Sequence, residues 1–458
     1  MSRVSPPVRQ GDELTLQIVD LAFGGQGVAR VSGYVVFVDN ALPDETVRAR
    51  IRRVRQGYAD AESLEIVAPS SLRVAPPCRY YGECGGCDLQ HLARPAQAEA
   101  KRGQVTALLR RVAGLQDPPV REAVAAGDPL LYRFRIDFDW GASREGRSGL
   151  GLHRARHPAD IVPVETCLLI PEAANRIRAF LERRAAEKGL APRDPRRRRG
   201  LLRRSGIQVA RTTGEILLTL ETQRGDPPAL LDLARETARA FPRIVGIVRR
   251  EHDRHGRSVG ASILHGRDHL FEEVDGDRMK IPAGAFFQPN ATAWGLLRGA
   301  VEKELEAGRE ETVLELYCGV GFFTLAMARR CQQVVAIDVS REAVAAARDN
   351  AARAGLGNVR WLCRDAGEGL AELLEETRFD AILLDPPRTG LPPGAARVLA
   401  RTAARRIVYV SCDPATLARD LGILVGEGSF RLRSVVPLDL FPQTHHVECV
   451  VRLERSAA

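Results

Sequence analysis

The feature that most constrains the fold of this chain is a regular alternation of strand-like and helix-like segments between residues 312 and 411. Short apolar runs typical of buried strands lie at 312–316, 334–338, 359–363, 379–384 and 406–410. Segments long enough for helices separate them, including the Ala-rich run 341–353. Because such alternation produces parallel sheets with right-handed crossovers, the sequence predicts a Rossmann-like α/β domain over residues 286–458.

A glycine turn follows the first of these strands, in the run Tyr317-Cys318-Gly319-Val320-Gly321. Such a turn lets a ligand approach the backbone, and Asp338, at the end of the next strand, can accept hydrogen bonds from ribose hydroxyls. Asp365 and Asp385 follow the third and fourth strands. Bulky residues 322–324 occupy the place where a dinucleotide would favour a third glycine. The pattern therefore favours S-adenosylmethionine over NAD.

Cys412 follows the last strand, in the turn Ser411-Cys412-Asp413-Pro414. Asp413 suits the N-cap of a helix and Pro414 suits its first position. Cys412 is thus predicted at the carboxyl end of a strand, where open α/β sheets bind ligands, and beside a helix N-terminus, which favours a thiolate. It is a candidate nucleophile, and a small buried thiol that only packs is the alternative.

Two further units are predicted before residue 286. Residues 1–70 have short strands and Gly-rich turns, typical of a small OB-like β-barrel, and the arginines between 48 and 55 could hold a nucleic-acid backbone or form a solvated face. Residues 71–285 are mixed α+β, with helices predicted at 97–112 and 171–188. A basic run at 193–204 fits a phosphate-binding loop or a linker equally well.

Three cysteines lie close together in the second unit. Cys78, Cys84 and Cys87 form a compact loop, with the last two in a Cys-x2-Cys spacing around glycines. Such a loop suits a metal or iron–sulfur centre, and Cys167 is the best candidate for a fourth ligand. Four thiolates suit zinc and a 4Fe–4S cluster alike, so the spacing leaves both open.

Composition limits the classes of protein and partner. The 458 residues are 45% hydrophobic, enough for several cored domains, and the net charge of +9 suggests an anionic partner such as a nucleic acid. The N-terminus has no apolar leader, and the longest uncharged apolar run, 316–328, is too short to span a bilayer. We therefore expect a cytoplasmic globular protein whose nine cysteines serve metal binding or catalysis rather than disulfides.

Five motifs in this chain follow the order seen in bacterial RNA 5-methyluridine methyltransferases, and the chain resembles that family over nearly its whole length. They are Phe286-Phe287-Gln288-Pro289-Asn290, the glycine turn 317–321, Asp385-Pro386-Pro387-Arg388, Ser411-Cys412-Asp413-Pro414 and His445-His446-Val447-Glu448-Cys449. The turn Gly25-Gln26-Gly27-Val28-Ala29-Arg30 resembles the RNA-binding TRAM module. The group most resembled is that acting on 23S rRNA, which carries a TRAM domain and a 4Fe–4S cluster.

The resemblance implies roles for residues at the matching positions. A 4Fe–4S cluster, or zinc as the less favoured alternative, would be held by Cys78, Cys84, Cys87 and Cys167. S-adenosylmethionine would be bound by Gln288, Tyr317, Gly319, Gly321, Asp338, Asp365 and Asp385. The chain departs from the family where Asp338 replaces a frequent Glu, where Phe322 replaces a small or amide residue, and where Phe134 replaces an Asn. No cofactor contact is therefore expected of Phe322.

Methylation at carbon 5 of uracil needs a nucleophile and a base. Cys412 would add to carbon 6, so that carbon 5 can attack the methyl donor. Glu448 would then remove the proton from carbon 5, unless it is only an ion-pair partner of His445 or His446. The target uridine must lie in a loop or be flipped out of a helix.

The expected partner is RNA, most of all rRNA, with no membrane and no obligate protein partner. One alternative is a tRNA 5-methyluridine methyltransferase, although those enzymes usually lack the barrel and the cysteine loop. An alternative from another class is a non-catalytic ribosome-assembly factor built from the barrel and a structural metal.

Overall fold

The computed structural model of the protein describes residues 6–144, 146, 148–194, 199–225 and 228–456. Those residues form sheets of six, seven and eight strands and one two-stranded hairpin. Residues 195–198, at the centre of the predicted basic run 193–204, lie outside the described ranges. Every helix in the described part of the chain is too short or too polar to cross a membrane.

The first unit is a six-stranded sheet with its own apolar core. Its strands are β1 (Glu13–Gln17), β2 (Asp20–Leu21), β3 (Gly27–Val31), β4 (Tyr34–Asp39), β5 (Thr46–Val54) and β6 (Tyr58–Ala68), in the order β1-β5-β6-β4-β3-β2. Strand β5 alternates strictly, burying Val47, Ala49 and Ile51 and exposing the residues between them. Closure of this sheet into an OB-like barrel stays a prediction.

The exposed arginines of β5 are paired with carboxylates. Ion pairs form between Arg48 and Glu13, Arg50 and Glu13, Arg52 and Glu62, and Arg53 and Asp60. Exposed pairs of this kind are worth at most about 1 kcal/mol, so the arginines can exchange partners at little cost. A nucleic-acid backbone would have to compete with these carboxylates.

The middle unit is a seven-stranded sheet with two helices that share its apolar core. Its elements are β8 (Arg135–Ala142), β9 (Ser148–Arg154), β10 (His157–Val162), α2 (Glu172–Glu187), β11 (Leu202–Val209), β12 (Ile216–Gln223), α3 (Pro228–Ala240), β13 (Ile244–His252) and β14 (Ser258–Gly266). The strand order is β10-β9-β8-β11-β12-β13-β14, and the hairpin of β15 (His269–Val274) and β16 (Asp277–Pro282) follows. The mixed α+β prediction for this part is confirmed.

The last unit is an eight-stranded sheet that confirms the predicted α/β fold. Its elements are α4 (Trp294–Leu305), β17 (Thr312–Leu316), α5 (Thr324–Ala328), β18 (Gln333–Asp338), α6 (Arg341–Arg353), β19 (Val359–Cys363), α7 (Leu370–Glu376), β20 (Ala381–Leu384), α8 (Ala395–Ala400), β21 (Arg406–Ser411), α9 (Pro414–Gly426), β22 (Phe430–Asp439) and β23 (Glu448–Arg455). The order is β19-β18-β17-β20-β21-β23-β22-β7, in which β7 is the short strand Val124–Ala125. Strands β17 to β21 are parallel, and β23 pairs with β21 in the antiparallel sense.

A segment from the middle of the sequence completes this sheet. Strand β7 (Val124–Ala125) pairs with β22, and helix α1 (Arg94–Val112) packs against α9. Val105 and Leu109 of α1 share an apolar core with Leu417 of α9. The last unit therefore includes residues that precede residue 126 in the sequence. The predicted domain boundary at residue 285 stays a prediction.

Candidate active site

The carboxyl-terminal edge of the parallel strands collects the predicted site residues in one row. Following the strand order β19, β18, β17, β20, β21 and β23, the edge presents Asp365, Asp338, Tyr317, Asp385, Cys412 and Glu448. Strand β23 is antiparallel to the others, so its first residue lies where the parallel strands end. Residues predicted from four separate motifs and two further strand ends therefore share one edge, where α/β sheets bind ligands.

The register of β21 against β23 puts Cys412 opposite Glu448. Ser411 is the Cα partner of Cys449, and the next position along each strand holds Cys412 and Glu448. Glu448 is 3% exposed, whereas Cys412 is partly exposed. The structure thus brings together the two residues that the sequence names as nucleophile and base.

Cys412 is held as a thiol at neutral pH. Burial is the main reason that the pKa of Cys412 is raised to about 12. The nearby Glu448 also raises this pKa, and the Arg388 guanidinium lowers it. Helix α9 does begin as predicted, with Asp413 Oδ1 accepting hydrogen bonds from the backbone N–H groups of Ala415 and Thr416 at 2.9 Å each. The expectation that this helix terminus favours a thiolate is wrong in the free protein, because burial outweighs it.

Two acidic side chains beside Cys412 retain protons more readily than ordinary carboxyls. Burial, followed by the charge of Asp385, raises the pKa of Glu448 well above its usual range, against the effect of Arg388. Burial also raises the pKa of Asp385 to about 7, while a hydrogen bond donated by Gln288 Nε2 to Asp385 Oδ2 at 3.1 Å lowers it. Neighbouring carboxyls of this kind can give or take a proton near neutral pH.

Arg388 is a site residue that sequence reasoning quoted only as part of a motif. Its guanidinium NH2 donates to His446 Nε2 at 3.2 Å. Burial, the neighbouring His445 and Arg388 lower the pKa of His446 to about 2, so this ring is neutral and can accept. His445 Nδ1 lies 2.6 Å from Asp88 Oδ2. The two histidines therefore pair with Arg388 and Asp88 and not with Glu448.

The glycine turn and Asp338 form a second part of the site. Asp338 accepts backbone hydrogen bonds from Gly319 through Oδ2 at 2.9 Å and from Ser340 through Oδ1 at 2.8 Å. Gly319 has φ +54°, and a Cβ there would meet no atom within 4 Å, so space is left open beside the turn. Tyr317 also has a positive φ, 68°, a strained conformation of the kind that clusters at ligand sites.

Aromatic residues noted as departures from the family serve the core. Phe322 is 5% exposed and packs edge-on against Phe287, with ring centroids 5.5 Å apart. Phe134 is 1% exposed and packs against Phe287 at 5.4 Å and Trp294 at 5.6 Å. Phe322 is used in the core, and the expectation that it makes no cofactor contact stays a prediction.

The four cysteines predicted to bind a metal line one cavity of about 290 Å³, and all four are free cysteines. Burial raises the pKa of Cys84 to about 11 and that of Cys87 to about 12. Arg133 lines the same cavity. Within the described ranges, no three His, Cys, Asp or Glu side chains converge closely enough to hold a single metal ion. Metal binding by Cys78 and Cys167 with the other two therefore stays a prediction.

Comparison with known families gives matches at both ends of the chain. Residues 251–456 match the family model of tRNA (uracil-5-)-methyltransferases, and residues 7–64 match the TRAM domain. A relative from Gloeobacter violaceus, named as an uncharacterized RNA methyltransferase, is 36% identical over 98% of this chain and 97% of its own length. A relative of the same description from Bacillus cereus (strain ATCC 10987) is 31% identical over 99% of both chains.

A solved structure shares the fold. The tRNA (uracil-54, C5)-methyltransferase of Pyrococcus abyssi, in complex with S-adenosyl-L-homocysteine, matches with a TM-score of 0.72 at 24% identity. The match covers 96% of this chain and all of that one.

The raised pKa of Cys412 predicts how its reactivity depends on pH. Only the thiolate reacts with iodoacetamide, and a thiol with a pKa of about 12 gains thiolate about tenfold per pH unit between pH 7 and 9. The rate is measured by mass spectrometry of the peptide that carries Cys412, with the exposed Cys363 followed in the same samples as an accessible thiol. A rate that levels off below pH 9 would contradict the raised pKa.

Proposed function

The chain belongs to the RNA (uracil-5-)-methyltransferase family, and from that premise we propose that it methylates a uridine through a covalent bond between Cys412 and carbon 6 of the base. It is an S-adenosylmethionine-dependent enzyme. The observation that carries the proposed mechanism is the register that sets Cys412 opposite Glu448 at the ligand-binding edge of the sheet.

The proposed reaction begins when the partly exposed Cys412 thiol gives its proton to solvent water and becomes a thiolate. The thiolate adds to carbon 6, and the electron pair of the carbon 5–carbon 6 double bond moves into an enolate. Arg388 supports the thiolate by its positive charge, and Asp385, with a pKa raised to about 7, exchanges a proton near neutral pH, while burial raises the pKa of Glu448 as well. Carbon 5 then takes the methyl group that S-adenosylmethionine supplies.

Glu448 completes the proposed cycle. As a carboxylate it takes the proton from the methylated carbon 5, the double bond re-forms, and the bond from carbon 6 to sulfur breaks to return the thiolate. Burial raises the basicity of this carboxyl, as a group that must remove a carbon-bound proton requires. His445 pairs with Asp88 and His446 with Arg388, so these histidine contacts leave the oxygens of Glu448 available to the uracil.

The proposed cofactor pocket lies on the glycine-turn side of Cys412. Asp338 would bind the ribose, Gln288 and Asp385 would lie towards the reacting end, and Tyr317 and Asp365 would border the adenosyl moiety. Both oxygens of Asp338 are oriented by backbone N–H groups and keep a free lone pair each for a hydroxyl. The open space at Gly319 and the positive φ of Gly321, +87°, fit a cofactor that passes close to the backbone.

The proposed substrate is 23S rRNA. The TRAM domain supports an RNA substrate, and its combination with the cysteine loop resembles the group that acts on 23S rRNA. A tRNA substrate is the second candidate, supported by the description of the matched family and by the activity named for the Pyrococcus protein. Mapping of 5-methyluridine by mass spectrometry in 23S rRNA and tRNA, from cells with and without this protein, separates them. Loss of the mark from tRNA alone would overturn the rRNA assignment.

The four cysteines are proposed to hold a 4Fe–4S cluster. A single zinc ion, the less favoured alternative, would need four sulfurs about 2.3 Å from one point. A polynuclear cluster instead takes thiolates at its corners, and a cavity of about 290 Å³ lined by all four cysteines has room for it. Bound iron would add to the positive charge that Arg133 already places beside these buried cysteines.

The proposed division of labour predicts the behaviour of Glu448→Gln. This variant should still form the bond to carbon 6 and transfer the methyl group, but it should fail to remove the proton from carbon 5. We expect an RNA–protein species on a denaturing gel after incubation with RNA and S-adenosylmethionine. Cys412→Ala should form no such species and transfer no methyl group. Absence of the species in Glu448→Gln would reduce Glu448 to a structural role, and turnover by Cys412→Ala would exclude the covalent route.

The cluster proposal predicts a brown protein. Purified without oxygen, the chain should absorb broadly at about 400 nm, as thiolate-held iron–sulfur centres do. Cys84→Ser should lose the absorbance and bound iron, while Cys363→Ser, at an exposed cysteine outside the cavity, should keep both. A colourless protein with one zinc per chain would contradict the proposal.

A further inference from the structure

The segment that leads into Glu448 is tied to the cysteine loop. Residues 440–447 join β22 to β23 and end directly before Glu448. Within this segment Gln443 has φ +71°, a conformation that non-glycine residues rarely adopt. The backbone N–H groups of Asp88 and Leu89 both donate to Gln443 O at 3.0 Å. These bonds fasten the strained turn to the loop that carries Cys87.

A continuous series of contacts leads from this loop to Arg388. Asp88 Oδ2 lies 2.6 Å from His445 Nδ1 and also accepts from the His445 backbone N–H at 3.3 Å. The rings of His445 and His446 lie against each other with centroids 4.1 Å apart. His446 Nε2 in turn accepts from Arg388 at 3.2 Å. The Arg388 guanidinium, whose charge acts on Cys412 and Glu448, is thus held at the end of a relay that begins outside the last sheet.

The first unit closes over the same contact. A Cβ at Gly25 would lie 2.7 Å from Asp88 Cβ, closer than two such carbons can approach, so only glycine fits there. The ring of Phe23 packs edge-on against His445 with centroids 5.2 Å apart. Asp88 and His445 are therefore confined from both sides, by the cysteine loop and by the Gly-rich turn of the first unit.

We propose that Asp88 is a positioning residue for methyl transfer, which through His445 and His446 holds Arg388 beside Cys412 and Glu448. The inference rests on the proposed roles of Cys412 and Glu448. The reactivity of Cys412 then depends on the positions of the cysteine loop and the first unit relative to His445, before any RNA binds.

Alkylation of Cys412 by iodoacetamide tests this without RNA and without turnover. Asp88→Ala removes the acceptor for His445 and lets Arg388 move away, so alkylation at pH 8 should slow about threefold or more as the thiolate fraction falls. Asp88→Asn keeps an oxygen acceptor and should react almost as the unchanged protein does. Glu83→Ala is the control, since this exposed residue of the same loop pairs only with Arg154. An unchanged rate in Asp88→Ala would overturn the proposal.

Methyl-transfer kinetics provide the second measurement. In Asp88→Ala, kcat should fall about tenfold while the KM for RNA stays within about twofold, because the variant disturbs the reacting groups and not the RNA surface. A rise in KM alone would assign Asp88 to RNA binding instead. If the unchanged protein methylates no RNA at all, the proposed function fails, while the alkylation comparison still decides the positioning role.

The relay also predicts that its members act as one. His445 lies outside the cysteine loop, so His445→Ala leaves that loop intact. This variant should nevertheless reproduce the defect of Asp88→Ala. The double variant should be no slower than either single variant, since both break the same contact. Effects that simply multiply would overturn a shared route.

A perturbation from the first unit gives an independent check. Gly25→Ala pushes a methyl group against Asp88 and should slow alkylation of Cys412. Gly33→Ala is the matched control, because Gly33 also has a positive φ, +83°, but a Cβ there meets nothing within 4 Å. Equal alkylation rates in the two variants would show that displacing Asp88 does not affect the reactivity of Cys412.

Discussion

The pairing of β21 with β23 is the constraint on which the site depends. Parallel strands alone deliver only their last residues to the ligand-binding edge of a sheet. An antiparallel neighbour delivers its first residue there as well, so Glu448 can face Cys412 although the chain makes a helix, a strand and a long turn between them. A shift of one residue in this register would turn Glu448 to the other face of the sheet and separate it from the nucleophile. The extensive burial of both strands makes such a shift costly.

Burial shapes the chemistry of the edge as strongly as the choice of residues. It is the first cause of the raised pKa values of Cys412, Asp385 and Glu448, so the free site favours their neutral forms. In a low-dielectric site a single cation has a large effect on its neighbours, and Arg388 opposes the raised pKa of both Cys412 and Glu448. Arg388 itself is exposed, but it acts on groups that are largely buried, so its position affects their protonation.

The sequence predicts those parts of the site that local patterns determine. Each strand that ends at the site is a short apolar run, and each polar residue directly after such a run lies where expected, as Asp338 and Asp385 do. The role of Arg388 could not be predicted, because its partner His446 comes from a distant turn and only the folded chain brings them together. The thiolate expected at Cys412 failed for a related reason. A helix N-terminus is a local feature visible in sequence, whereas the burial that outweighs it comes from the tertiary structure.

Contacts between distant parts of the chain also explain features that the sequence leaves ambiguous. Helix α1 belongs to the middle of the sequence, yet its buried Lys101 pairs with the buried Asp439, and Lys101 Nζ donates to Phe441 O at 3.0 Å. An unpaired charge at either position would be expensive, so the pair fixes how α1 meets the turn after β22. The Gly-rich turn of the first unit has a comparable cause at Gly25, where the Asp88 side chain leaves no room for a Cβ. A motif that sequence alone associates with RNA binding thus has a packing requirement at this position, set by the loop that carries the cysteines. The three units of the chain meet where Gly25, Asp88 and His445 lie together, one step away from the groups that carry out the reaction.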